Sequence, residues 1–95
     1  MDNWEIAEIE GRARSIGLNA HVVAGGRVYI STPFGGHWVI IPAGNHYRLE
    51  HENYKFRHGY QPGTYHRHTA QYPDIFNAMQ YISVHDASIP KRRYA

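Results

Sequence analysis

The sequence predicts an α+β domain: an N-terminal helix, a four-stranded antiparallel β-meander, a long loop, and a C-terminal helix packing on one face of the sheet. Three observations carry this. Apolar residues recur at helical spacing near both ends of the chain. Short β-rich runs fill the stretch between them, and glycine or proline pairs punctuate those runs. Helices at the two ends of a continuous run of strands pack most simply side by side on one face of the sheet.

Asp2-Asn3-Trp4-Glu5 reads as a capping box, in which each acid satisfies a backbone N–H of the other's residue. Ile6, Ile9, Ala13 and Ile16 then fall on one helical face, and Gly17 supplies a left-handed stop. The first helix is therefore placed from about Asn3 to Ile16. Leu18 to Ala24 and Arg27 to Thr32 read as strands joined by a two-residue Gly25-Gly26 turn, which sets His21 opposite Ile30 as a packed sheet histidine. Pro33-Phe34-Gly35-Gly36 breaks the chain, and the nearly all-apolar His37 to Ile41 suits a central strand. After the turn at Pro42 to Asn45, the run from His46 to Glu50 alternates, with Tyr47 and Leu49 on one side and His46, Arg48 and Glu50 on the other. The segment 51–73 has no clear period and reads as a long functional loop, with at most a short strand near Thr64 to His68. Pro73-Asp74 opens the second helix, whose stripe is Ile75, Ala78, Met79 and Ile82 and which ends near His85. Asp86 to Ala95 reads as a solvated end, with one domain over 1–86 and a basic tail over 87–95.

The 95 residues fit one domain. A chain this short buries only roughly 60–65% of its unfolded surface, so a shallow or shared site is easier to build than a deep one. With no cysteine, disulfides, thiol catalysis and Cys-ligated zinc are excluded. The first residues show no basic-then-apolar leader, and no run is apolar enough to span a bilayer, so a cytoplasmic protein with no membrane partner is expected. The net charge is +2, but acids cluster at Asp2, Glu5, Glu8 and Glu10 while Lys91, Arg92 and Arg93 stand near the other end.

His51 to His68, HENYKFRHGYQPGTYHRH, is the stretch richest in chemistry. On a strand, His66 and His68 would share one side and could grip an ion with His51, His58 or Glu50, but no metal framework has this spacing, and no cofactor is expected. His66, His68 and Arg67 are also the residue types of a histidine-dependent ribonuclease, one ring as base and one as acid. Tyr54, Phe56, Tyr60 and Tyr65 interleave with Lys55, Arg57, His58 and Arg67, as in surfaces that stack bases and meet phosphates. The same Tyr and Arg residues are enriched at protein-binding hot spots. The ordinary alternative to each is a solvated, polar-aromatic loop.

Two resemblances bear on these alternatives. The glycine-rich pair of strands and H-W-V-I-I-P, within Leu18 to Pro42, resemble small mRNA-cleaving toxins of double-stranded-RNA-binding-like fold. His21 lacks the Gly-Ser pair that precedes their catalytic histidine. R-V-Y-I-S-T, G-H-W-V-I-I-P, Y-R-L-E-H-E-N, G-T-Y-H-R-H and Y-I-S-V-H-D, within Arg27 to Asp86, resemble small phage and mobile-element proteins of the anti-defence kind, anti-CRISPR proteins among them. That resemblance implies a non-enzymatic inhibitor occupying the surface of a host protein, such as a nucleic-acid-directed defence enzyme, and it carries over no residue role.

The expected partner-binding residues are Tyr54, Arg57, His58, Tyr60, Tyr65, His66, Arg67, His68, Lys91, Arg92 and Arg93, with no catalytic or metal residue. An RNA- or single-strand-binding protein is the main alternative, and a ribonuclease the next. Exposed aromatics on a small core also make a homodimer a natural expectation.

Overall fold

A computed structural model describes residues 2–33, 36–52 and 65–87; within these, the side chains of His66 and Thr69 are left undescribed. The elements run α1 (Asn3–Ser15), β1 (Asn19–Val22), β2 (Val28–Ser31), β3 (His37–Ala43), β4 (His46–Glu52), β5 (Tyr65–Tyr72) and α2 (Ile75–Ala87). The strands form one antiparallel sheet in the order β1-β2-β3-β4-β5, so each pairs with its neighbour in sequence. The α+β architecture is as expected, with five strands instead of four.

α1 begins with the full capping box. Asp2 Oδ1 accepts from the Glu5 amide at 2.8 Å, and Glu5 Oε1 accepts from the Asp2 amide at 3.4 Å. Gly17, at φ +82, turns the chain out of the helix. Ile9 and Ala13 are buried, with Ile16 packed beside them. α2 is capped by Asp74, whose Oδ1 accepts from the Asn77 amide at 2.8 Å. Its predicted stripe of Ile75, Ala78, Met79 and Ile82 is buried in full. Both helices lie on one side of the sheet and touch each other there. The Arg12 guanidinium sits 4.1 Å over the Phe76 ring, and Ser83 Oγ donates to the Ile16 carbonyl at 3.3 Å. Between helices and sheet lie Leu18, Val28, Ile30, Trp38, Ile40 and Leu49.

Four expectations are corrected. The β1–β2 connection is a three-residue turn, Ala24–Gly26, with Val23 and Arg27 bonded across it and Gly25 and Gly26 both at positive φ. The extra residue moves the register by one, so His21 faces Tyr29 and Ala20 faces Ile30. A one-residue slip exchanges the two faces of a strand. His21 is accordingly exposed on the helix-free side instead of packed. The segment read as loop from 51 is strand at both ends: β4 continues to Glu52, and β5 fills Tyr65–Tyr72. His51, expected in an exposed loop, is 1% exposed. Asp86, expected to begin a solvated end, lies inside α2 and is also 1% exposed.

Among the described residues, no helix is long and apolar enough to cross a membrane.

Candidate functional site

Alternation along the strands divides the sheet's chemistry between two faces. On the helix side, one cross-strand row reads Ile30, Trp38, His51, with residue 66 next in register. On the other side, the adjacent row reads His21, Tyr29, Val39, Glu50, Arg67.

The helix-side row is built around Trp38, which is fully buried in the central strand. His51 stacks on it, ring centroids 3.9 Å apart and planes within 6°. His68 from β5 lies at 4.8 Å, and His85 and Tyr81 from α2 present their rings edgewise at 5.1 and 6.1 Å. Tyr81 and His85 reach the same indole because a spacing of four residues puts them one turn apart on one helical face. Tyr81 Oη lies 3.4 Å from His68 Nδ1, and Tyr72 packs beyond it at 5.6 Å. Burial, and secondly Tyr81, raises the pKa of Tyr72 above its usual 10.0, because both oppose a phenolate there.

Asp86 closes the cluster at its other end. Its Oδ2 accepts from the Thr32 hydroxyl at 2.7 Å and from Trp38 Nε1 at 3.2 Å, while Oδ1 lies 3.0 Å from His85 Nδ1. Thr32 Oγ1 in turn accepts from the Gly36 amide at 3.1 Å. A Cβ at Gly36 would collide with the Asp86 carboxylate, so only glycine lets the turn before β3 come this close. Three contacts on a fully buried carboxylate offset its loss of water. Asp86 follows Met79 and Ile82 at spacings of seven and four, a core position of α2. That spacing is the signal by which the sequence could have shown it.

The cluster is a packed interior, and its inner rings are closed to a substrate: Trp38 is 0% and His51 1% exposed. Among the described residues, no three His, Asp or Glu side chains are placed to hold a metal ion.

The other face carries no helix among the described residues. Tyr29 is 40% exposed there, and His21, His37 and Arg67 are exposed around it. A shallow groove of about 160 Å³ runs across this side, lined by Asn19, His21, Tyr29, Ser31, His37 and Tyr65. Among the described residues of this side, Arg48 pairs with Glu50 at 3.5 Å, and Arg67 stands across from Glu50 in the register, with Glu52 two residues further on β4.

Of the residues expected to bind a partner, Tyr65 and Arg67 fall on this open side of β5, and Tyr65 lines the groove. His68 falls on the helix side against Trp38. His66 occupies the β5 position opposite His51. Tyr54, Arg57, His58, Tyr60, Lys91, Arg92 and Arg93 lie outside the described residues. His21 was missed as a surface candidate because the misplaced register turned β1 inward, and Tyr29 and His37 were not singled out from the sequence.

The fold and its faces define a small α+β domain with a helix-backed antiparallel sheet. Compared with protein-family models, with curated proteins and with solved structures, the chain matches none.

Proposed function

We propose that this chain is a small non-enzymatic binding protein that acts by occupying the surface of a larger protein. The open face of its sheet, together with the segment 53–64 that joins β4 to β5, is the binding surface. The observation that carries the reading is the groove around Tyr29. It gathers exposed aromatic and imidazole side chains, on the same side of the sheet as the Arg48–Glu50 pair. Tyrosine offers large contact area at little conformational cost, and arginine offers forked hydrogen bonds to carboxylates. A surface made for a phosphate backbone needs an excess of cations, and Arg48 and Arg67 are offset here by Glu50 and Glu52. Of the two imidazoles expected of a ribonuclease, His66 and His68, the His68 ring is engaged in packing against Trp38. The likeness to anti-defence proteins of phages and mobile elements points to a bacterial defence or nucleic-acid-processing protein as the class of target.

A second reading has its own observation. Tyr29 and Tyr65 lie on the side of the antiparallel sheet that carries no helix among the described residues, a placement from which aromatic side chains stack on unpaired bases. One experiment separates the two: capture of partners from bacterial lysate by the tagged chain, with and without nuclease, alongside Tyr29→Ala and Arg67→Ala. A protein partner that survives nuclease and is lost in the variants is the expected result. Recovery of nucleic acid, with affinity falling steeply as salt rises, would replace the protein-binding reading with the second.

A further inference from the structure

The groove on the open face is lined by polar side chains that the fold leaves uncommitted. Asn19, Ser31 and His37 form one cross-strand row over β1, β2 and β3, and His21 and Tyr29 stand side by side in the next row. Adjacent strands lie about 4.8 Å apart and alternate residues about 7 Å, so the five side chains rise from an area of about 10 Å by 7 Å. Asn19, His21, Tyr29 and His37 are exposed, and Ser31 is half-buried. Among the described residues, none of these five side chains is hydrogen-bonded, ion-paired or stacked. The helix side is the opposite case: the polar groups of Thr32, Trp38 and His85 all converge on Asp86.

The chemistry gathered in the groove is one-sided. An amide, a hydroxyl, a phenol and two imidazoles can each donate a hydrogen bond. Neither a carboxylate nor a lysine or arginine lines the groove. The carboxylates of this side lie along β4, where Glu50 pairs with Arg48 at 3.5 Å and Glu52 is engaged as well. A guest that only donates, such as an ammonium or guanidinium, meets no anion there. A carboxylate accepts at about four lone-pair sites and matches donors arriving from three strands. A phosphate carries more charge, and its recognition calls for the arginine or lysine that the lining lacks. The volume of about 160 Å³ is below the ~300 Å³ at which small-molecule pockets begin, and it suits one side chain of a larger partner. We propose that the groove is a carboxylate receptor: it takes an aspartate or glutamate side chain presented by the protein that this surface binds. The proposal rests on the protein-binding reading above and names the chemistry of the partner.

The probe is a capped pentaglutamate peptide, compared with capped pentaglutamine and with inorganic phosphate at one salt concentration. Binding is followed through the ring resonances of His21, Tyr29 and His37. Pentaglutamate should shift these rings saturably and bind at least ~10-fold more tightly than either comparison. Asn19→Ala/His37→Ala, at two exposed positions, should weaken it at least ~5-fold, while His46→Gln, beside the β3–β4 turn, should leave it unchanged. Equal binding of pentaglutamine, or no saturable shift of the groove rings with pentaglutamate, would overturn the proposal. Phosphate bound as tightly as pentaglutamate would overturn it too, in favour of nucleic acid. Should the double variant not fold, the three probes on the unsubstituted protein decide. The proposal and the reading beneath it fail separately. A captured partner that is lost in Tyr29→Ala but not displaced by pentaglutamate removes the carboxylate and leaves the binding surface standing. Capture unaffected by Tyr29→Ala removes both.

Discussion

Trp38 and Val39 are consecutive residues of the central strand, and they belong to different environments. Trp38 is enclosed by three imidazoles and, through its indole N–H, holds a buried carboxylate. Val39 lies on the other side between Tyr29 and Glu50, in a row that ends at Arg67. Both are buried, yet the polar groups around them are held differently. On the helix side each carboxylate oxygen of Asp86 has a fixed partner. On the open side the charges meet in a loose, half-exposed pair at 3.5 Å. One sheet thus carries a buried polar network on one face and exposed aromatic, imidazole and charged side chains on the other.

The sharpest way to break this division is to remove the carboxylate. Asp86→Ala leaves the Trp38 indole N–H and the Thr32 hydroxyl buried without their acceptor, and should lower stability by about 3–5 kcal/mol in urea unfolding. A loss below about 1 kcal/mol would show that the helix-side network is not what holds α2. Gly36→Ala tests the same network from the turn before β3. Its methyl group must displace the Asp86 carboxylate, so a loss of about 1–3 kcal/mol is expected, and Gly36→Ala combined with Asp86→Ala should cost less than the sum of the two. The open face should behave in the opposite way. Tyr29→Ala is expected to change stability by no more than about 0.5 kcal/mol but to weaken partner binding about tenfold, read by calorimetry on the captured partner.

The smallest expected effect comes from Tyr72. Its phenol keeps its proton in the folded chain above the usual 10.0, so the unfolded chain deprotonates first as pH rises. Between those two values the folded state binds more protons, and stability therefore falls as pH climbs through that window. Thermal melts above pH ~10 should show this decline, and Tyr72→Phe should lessen it.

What could be read in advance follows from which forces leave a mark in sequence. α1 and α2 were legible because capping residues and aliphatic stripes report directly on local geometry, as at Asp2, Glu5, Ile75 and Ile82. β3 was legible because aliphatic residues lie on both of its sides. β5 was not. Its helix-facing position 68 is a partly buried histidine that packs, tilted, against an indole, so hydrophobic alternation is absent from Tyr65-His66-Arg67-His68. His51 was assigned to the loop for the same reason, although it continues the alternation of Tyr47 and Leu49. The β1–β2 register turned on whether two or three residues form the bend, and Ala24-Gly25-Gly26 permits both. Asp86 was read as a solvated charge because a carboxylate carries no sign in its own identity that Thr32, Trp38 and His85 await it.

The meander has a consequence for how the chain reaches this state. Every strand pairs with its sequence neighbour, so the sheet can grow outward from the tight β3–β4 turn, where Gly44 at φ +73 joins Ala43 to His46, without closing any large loop first. The helices are different: Ile16 and Ser83 meet across 67 positions of the chain. Docking of α2 onto α1 and Trp38 is then the late, entropically costly event of assembly. The residues that fix it, Asp86 and Ser83 among them, should set how slowly the domain comes apart more than how fast it forms.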